Sequence, residues 1–384
     1  MNKIEADIGI IGAGVTGLML TKKLSEVGLS VVLIDKNQQL ATGPSTRNEG
    51  WLHRGTYHAT SIKDRSNAIQ VAKRCIYGHE QIRRFAPEAV EDPESHSYAV
   101  VRNSERVTEI QSRWNEAEVL YKPISLSRFE REVPEAVIQP TDTVFQVQDV
   151  GINTRLLYQK LLCAGVRAGA SVYPNTEVSF RDTKANIARL TPDAGEHLTL
   201  AADLFIHTSG NGMKEFFEKN FDITLPTRFW KSHLLVTPRL SKHNVFAVDP
   251  YEAGMMNHGQ FSIVGANEDA LLVNEPNYEI DENGVKQVEN AIRRLYKVDG
   301  DVDGYPVACI KVDMPLQTAA ARSLNISVSE PIPDHLCILP GKMTEAAFVT
   351  DTVTRIVFDR QSLNGGHNAI ALRPCDMQAQ AVLA

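Results

Sequence analysis

The sequence predicts an α/β fold organised on a parallel sheet, and three observations near its start lead there. Residues 8–11, Ile-Gly-Ile-Ile, form a short apolar run of the kind that a strand buried on both faces requires. A glycine-punctuated turn follows at once, Gly12-Ala13-Gly14-Val15-Thr16-Gly17, and then Leu18, Leu20, Leu24 and Val27 recur at helical spacing. A second largely apolar run, Ser30 to Ile34, ends at Asp35.

Each element has a physical reason. Gly12 permits the tight turn, Gly14 lets the backbone approach a pyrophosphate, and Gly17 lets the helix pack closely on the strands. The helix N-terminus offers free N–H groups and the positive end of a dipole. Gly28 suits the left-handed residue that ends such a helix. Asp35, with Lys36 beside it, would accept hydrogen bonds from ribose hydroxyls. Strand, turn, helix, strand and acid in this order make a dinucleotide-binding unit. The plainer alternative is an ordinary glycine turn that binds nothing.

Composition bounds the rest. The chain has 384 residues, 43% hydrophobic and 23% charged, with net charge -7. That is ordinary for two or three compact units and excludes general disorder or a repeat architecture. No Lys/Arg stripe marks a nucleic-acid surface. Cys75, Cys163, Cys309, Cys337 and Cys375 are far apart and form no C-x-x-C pair. They fit a reducing, cytoplasmic compartment better than a disulfide framework. No His/Cys/Asp/Glu grouping has metal-ligand spacing, so no metal is expected. No apolar run reaches the length of a membrane span, and residues 8–20 read as structure rather than as a signal peptide.

Further along, Ile62 to Phe85 is helical and amphipathic, and Pro87 ends it. Residues 95–150 mix short strands with charged turns, and residues 147–153 turn into a helix carrying Leu156, Leu157, Leu161 and Leu162. Ala170 to Tyr173 is a strand, followed by Asn175 to Val178. Residues 204–212 look like a second strand and glycine turn, with Ser209 and Gly210 at its bend.

The segment after the second strand separates cofactor types. It is polar and glycine-rich: Ser45, Thr46, Arg47, Asn48, Gly50, Trp51, His53, Arg54 and Tyr57 all lie in it. It resembles the loop of the D-amino-acid-oxidase-like flavoproteins that wraps the FAD pyrophosphate, and its Thr-Arg-Asn-x-Gly-x-x-His-x-Gly-x-Tyr pattern is similar to that of L-2-hydroxyglutarate dehydrogenases. Residues 228–240, with Lys231, Ser232 and His233, resemble a strand of FAD-dependent glycerol-3-phosphate dehydrogenases that leads into the substrate domain. Residues 261–269, 282–296 and 307–311 stay in register with that family. Pro340-Gly341-Lys342-Met343-Thr344 resembles its closing glycine turn, from which a helix points its N-terminus at the flavin.

The resemblance spans roughly residues 5–360 and implies FAD as cofactor, not NAD. It implies a discontinuous Rossmann-like FAD domain (1–85, 145–225, 330–384). A mostly antiparallel α+β substrate domain (86–144, 226–329) would cover the flavin. Val178 would meet the adenine through its backbone. Two departures argue against glycerol 3-phosphate itself. Tyr57 and the Glu345-Ala346-Ala347 segment stand where the family has arginines suited to phosphate. Those enzymes also have a further C-terminal helical domain, whereas here only about twenty-five residues follow the closing helix.

The implied chemistry is hydride removal from a CH–OH or CH–NH carbon of a 2-hydroxy acid, polyol or amino acid. His53 and His233 are the candidate bases. Lys311, where the family has Arg, would hold a substrate carboxylate, with Lys231, Arg54, Tyr57 and His233 as further substrate contacts. His53 is alternatively a point of covalent flavin attachment, or a histidine that only bonds the pyrophosphate loop. His258 and His367 have no assigned role. Two further readings are a specialised-metabolism flavoprotein acting on a larger amine or alcohol, and a non-catalytic FAD-binding subunit. The sequence leaves open the substrate, the electron acceptor (oxygen or quinone) and the oligomeric state.

Overall fold

The computed structural model describes residues 2–181, 186–249, 253–266, 270–314 and 324–363. Its main sheet has eight strands. The first strand, Asn2–Ile11, lies at the centre, parallel to Val31–Ile34 on one side and to Leu198–His207 on the other. Ser171–Tyr173 and His335–Leu339 extend it in parallel. Ser327–Ile332 adds an antiparallel edge, and the boundary expected at residue 330 falls inside that strand. Ile187–Pro192 and Thr176–Ser179 branch off antiparallel.

Alternation decides what each face buries. Ile8 and Ile10 point to one face with Leu204 and Ile206. There they meet three helices, Val15–Glu26, Thr154–Arg167 and Ala346–Leu363, through Leu18, Leu157, Leu161, Val349 and Val353. Ile11, Leu200 and Phe205 point to the other face, against Phe180 and Leu190. Gly9 is required here, because a Cβ would lie 2.6 Å from the Phe205 ring.

The second layer is built differently. Arg228–Pro238 pairs antiparallel with Tyr305–Asp313, Phe261–Gly265 and Leu271–Val273, and Gly254–His258 adds the fifth strand. The helix Glu282–Leu295 packs on one face of this sheet through Val288, Ile292 and Leu295. A four-stranded sheet, Asn244–Asp249, Ser97–Val101, Thr143–Val147 and Tyr121–Ile124, stands beside it. Trp51–Leu52 and Val150–Gly151 form a short antiparallel ribbon.

Local expectations need three adjustments. The helix expected from Ile62 begins at Arg65, because Asp64 caps it by accepting from the Asn67 N–H at 2.7 Å. A separate short helix, His58–Ser61, precedes it. Between Ser97 and Val147 two helices interrupt the strands, Val107–Ala117 and Leu126–Glu132. The first buries Ile110, Trp114 and Ala117 at helical spacing and stops at Glu118 with φ 63°. Asn267–Asp269, His367 and Cys375 lie outside the described residues. No helix among the described residues is long and apolar enough to cross a membrane.

Candidate cofactor and substrate cleft

The glycine turn is built as a close contact between two chain ends of the sheet. Gly12 has φ 105°, and a Cβ there would lie 2.7 Å from the Ser209 backbone. Gly17 is tighter still, since its Cβ would sit 2.0 Å from the Gly12 carbonyl oxygen. Thr208 locks the pair by donating its hydroxyl to Gly12 O at 2.6 Å. Asp35 braces the turn: its Oδ2 accepts from Ala13 N at 2.7 Å and its Oδ1 from Asn37 N at 2.8 Å. An ionised carboxylate has about four acceptor sites, so lone pairs remain for hydroxyl groups.

The 42–50 loop folds on itself beside this turn. Asn48 donates to Ser45 O at 2.7 Å and Pro44 O at 3.0 Å, and accepts from Gly50 N at 2.9 Å. Thr46 donates its hydroxyl to Ala41 O at 2.6 Å. Ser45 Oγ accepts the Val15 N–H at 3.0 Å and lies within 3.1 Å of a Cβ placed at Gly14. It therefore occupies the first free N–H of the helix expected to face a pyrophosphate. Arg47 stacks its guanidinium 4.7 Å from the Tyr278 ring centroid.

Two adjoining hollows form one elongated cleft, because Gly12, Asp35, Gly43, Pro44 and Ser209 line both. One end is lined by Lys36, Arg47, Val178, Asn211 and Tyr278. The other is lined by Trp51, His53, Cys309, Lys311 and the turn Gly341-Lys342-Met343. Gly341 takes φ 72°, and a Cβ there would lie 2.6 Å from Leu324 O. Gly210, at φ 54°, bends the chain beside Ser209.

His53 lines the end bordered by the Gly341 turn. Its backbone N–H donates to Thr344 Oγ1 at 3.2 Å, and its ring lies 4.3 Å from Trp51. Nδ1 is buried without a hydrogen-bond partner among the described residues. Burial, followed by the charges of Lys342, Lys311 and His79, holds the ring well below the ordinary histidine pKa, so it is neutral at pH 7. Lys311 also lines this end and makes no ion pair or hydrogen bond among the described residues. Its cross-strand partner is Trp230, and that of Cys309 is Ser232. Paired residues share a sheet face. Trp230 Nε1 and Ser232 Oγ are both buried without a partner among the described residues.

The same register corrects two expectations. Lys231 pairs with Ile310 and His233 with Ala308, so both side chains emerge on the opposite face. His233 packs under the helix Glu282–Leu295, where its Nε2 accepts from Asp281 N at 3.0 Å and its ring fills the space a Gly284 Cβ would need. Lys231 Nζ lies 3.5 Å from Asn277 Oδ1. Neither side chain lines the cleft. Arg54 is also committed elsewhere: it is buried and pairs with Glu80 at 2.9 Å. Tyr57 packs behind Trp51, with ring centroids 6.0 Å apart, instead of lining the cleft.

Sequence reasoning missed two groups that hold the site. Asp149 is fully buried and accepts from Trp51 Nε1 at 2.9 Å, Arg54 N at 3.0 Å and the Thr56 hydroxyl. Its signal was an acid within a strand-forming run. Glu345 precedes the closing helix and is buried, with Oε1 2.7 Å from Arg74 Nε and Oε2 unpartnered among the described residues. Burial outweighs Arg74 and Lys342 and pushes its pKa up to about 7.

The comparisons with known proteins agree with this geometry. A family model described as FAD dependent oxidoreductase (DAO) matches residues 7–317. One component chain of the anaerobic glycerol-3-phosphate dehydrogenase of Escherichia coli K12 is 33% identical over 87 residues, which are 23% of this chain and 15% of that protein. The mitochondrial L-2-hydroxyglutarate dehydrogenase of Arabidopsis thaliana is 33% identical over 86 residues, 22% of this chain and 16% of that one. These matches span about one sixth of the relatives' length. Glycine oxidase from Geobacillus kaustophilus has the same fold, with TM-score 0.71 at 15% identity over 93% of this chain and 95% of that one.

Proposed function

The chain belongs to the FAD dependent oxidoreductase family, and from that premise we propose that it oxidises a small acid at the carbon bearing OH or NH, a 2-hydroxy acid or an amino acid. The observation behind this reading is Lys311, a cation uncommitted among the described residues, at the Gly341 end of the cleft beside a neutral histidine.

The cleft suits the cofactor. It is long, it bends at two glycine turns whose Cβ positions are filled by backbone, and Asp35 retains acceptor capacity at its middle. Gly12, Gly14, Ser45, Ser209 and Gly210 would hold the pyrophosphate, and Gly17 would let the helix pack close beneath it. Asp35 and Lys36 would lie by the ribose, and Val178 by the adenine. Gly341 to Thr344 and Trp51 would border the flavin. When bound there, FAD would supply the redox chemistry, as acceptor for the hydride.

The chain's own residues bind and orient. Lys311 holds the substrate carboxylate as a point charge in a partly desolvated site. Trp230 and Ser232 emerge on the same sheet face as Lys311 and Cys309 and pack beside them, behind the cleft lining. His53, kept neutral, accepts the proton of the OH or NH group. Thr344 and Trp51 fix its position.

The test is direct. The purified protein should show a flavin spectrum, and anaerobic addition of 2-hydroxy acids or amino acids should bleach it. Polyols bleaching it as efficiently as acids would overturn the assignment of an acid substrate.

A further inference from the structure

His258, at the end of the strand Gly254–His258, lies outside the cleft lining. Its ring is nevertheless held from both sides. Nε2 is 2.9 Å from the Glu49 carbonyl oxygen, and Nδ1 is 3.0 Å from Glu91 Oε2. Both partners are acceptors. A neutral imidazole has one N–H and can satisfy only one of them, whereas imidazolium donates to both. The ring also seats in a space shaped for it: Gly50 takes φ 62°, and a Cβ there would lie 2.4 Å from His258 Cε1. Behind it, Ile152 N donates to Gly50 O at 2.7 Å, and Glu91 N donates to Gly151 O at 2.9 Å. The side chain is 14% exposed and that of Glu91 19%.

What this ring grips is the C-terminal end of the 42–50 loop. That loop lines the cleft through Thr42, Gly43, Pro44 and Ser45, and at the gripped end through Asn48 and Glu49. We propose that His258, as an imidazolium, is a clasp that positions the 42–50 loop over bound FAD, holding cofactor in place without touching substrate. The proposal rests on FAD being the bound cofactor.

The surroundings favour the charged form. Burial opposes it, but Glu91, the Glu49 carbonyl and the Asp92 carboxylate outweigh burial, and the ring's pKa lies above the ordinary histidine value. The other charges near it are Arg239, which pairs with Asp92 at 2.8 Å and donates to Gly259 O, and the Glu49 carboxylate, which lies against Gly265. The sign follows. The clasp is closed below the raised pKa and opens as pH rises through it, when one contact becomes lone pair against lone pair.

The experiment is the dissociation constant of FAD, by titration of the apoprotein, from pH 6 to pH 9. In the wild type it should weaken about tenfold across that range, the size expected for one lost charge-assisted hydrogen bond. His258→Gln keeps a donor for Glu49 and cannot titrate, so its affinity should be flat. Glu91→Gln should move the wild-type transition to lower pH. Glu345 titrates in the same range, so the variant comparison decides. A flat wild-type profile overturns the clasp, and so does a pH dependence that survives unchanged in His258→Gln. Failure of the folded apoprotein to bind FAD at any pH would instead overturn the cofactor reading.

Discussion

The backbone N–H of His53 donates to Thr344 Oγ1 at 3.2 Å, joining two turns 291 residues apart in the chain. The first turn follows the second strand of the sheet, and the other precedes its closing helix. Between them, the helix Arg65–Phe85 comes so close that a Cβ at Gly78 would lie 1.8 Å from Thr344 O. The candidate base is thus placed by backbone contacts, which hold a position more rigidly than a surface side chain does.

Thr344→Val removes the acceptor and nearly preserves shape. Turnover should fall about tenfold while FAD stays bound, since one neutral hydrogen bond is worth about 1 kcal/mol and its loss also frees the loop. Thr344→Ser should restore most of it. Steady-state kinetics on the flavin-loaded protein tests this, and equal turnover in wild type and the valine variant would count against the bond.

Lys311→Ala should lower kcat/KM for acid substrates about 100-fold, from loss of about 2–3 kcal/mol of charge-assisted binding, and should leave the flavin spectrum unchanged. His53→Ala should lower kcat by about 10²–10⁴ if the ring takes the substrate proton. Unchanged kinetics in both variants would remove these residues from the active site.

Gly17→Ala should abolish FAD retention, because its Cβ would stand 2.0 Å from Gly12 O, with no flexible group to give way. The cost should be of the order of several kcal/mol in stability, seen as a fall in Tm. Gly43→Ala serves as the control: nothing lies within 4 Å of its Cβ position, and it should be near neutral.

Glu345 predicts a pH dependence of stability. Its folded-state pKa is about 7, above the carboxylate value of 4.5, so the folded chain binds the extra proton between those values. The stabilisation is fully present below about pH 4.5 and is lost as pH rises through about 7. Tm should therefore decline from pH 5 to pH 8 by more in the wild type than in Glu345→Gln. Identical slopes would show that the carboxyl does not titrate there.

Much of this was legible where the determinants are local. The first glycine turn could be read because its three glycines stand at fixed spacing between an apolar strand and a helical run, even though Gly12 and Gly14 answer contacts at the distant Ser209 and Ser45. The closing turn could be read because an apolar strand stops at Leu339 before a helix starts. His233 and Lys231 were misplaced for a physical reason. Which face a strand residue takes depends on the register with its partner, here Ala308 and Ile310, and alternation alone does not say which face meets the cleft. Asp149 and Glu345 were hidden because a buried acid in sequence looks like an exposed one. Only the fold brings Trp51, Arg54 and Thr56 to the first and Arg74 to the second.

The position of the first strand has a consequence for biogenesis. Asn2–Ile11 is the earliest strand described, yet one of its two edges pairs with Leu198–His207. During synthesis that edge has no native partner until the later segment leaves the ribosome. An unpaired apolar strand is a template for wrong pairing, so the nascent chain is exposed to aggregation over this interval. The Gly341 turn, which completes the lining at one end of the cleft, leaves the ribosome later still. A low flavin supply would then affect yield through the last stage of folding, after the sheet itself is complete.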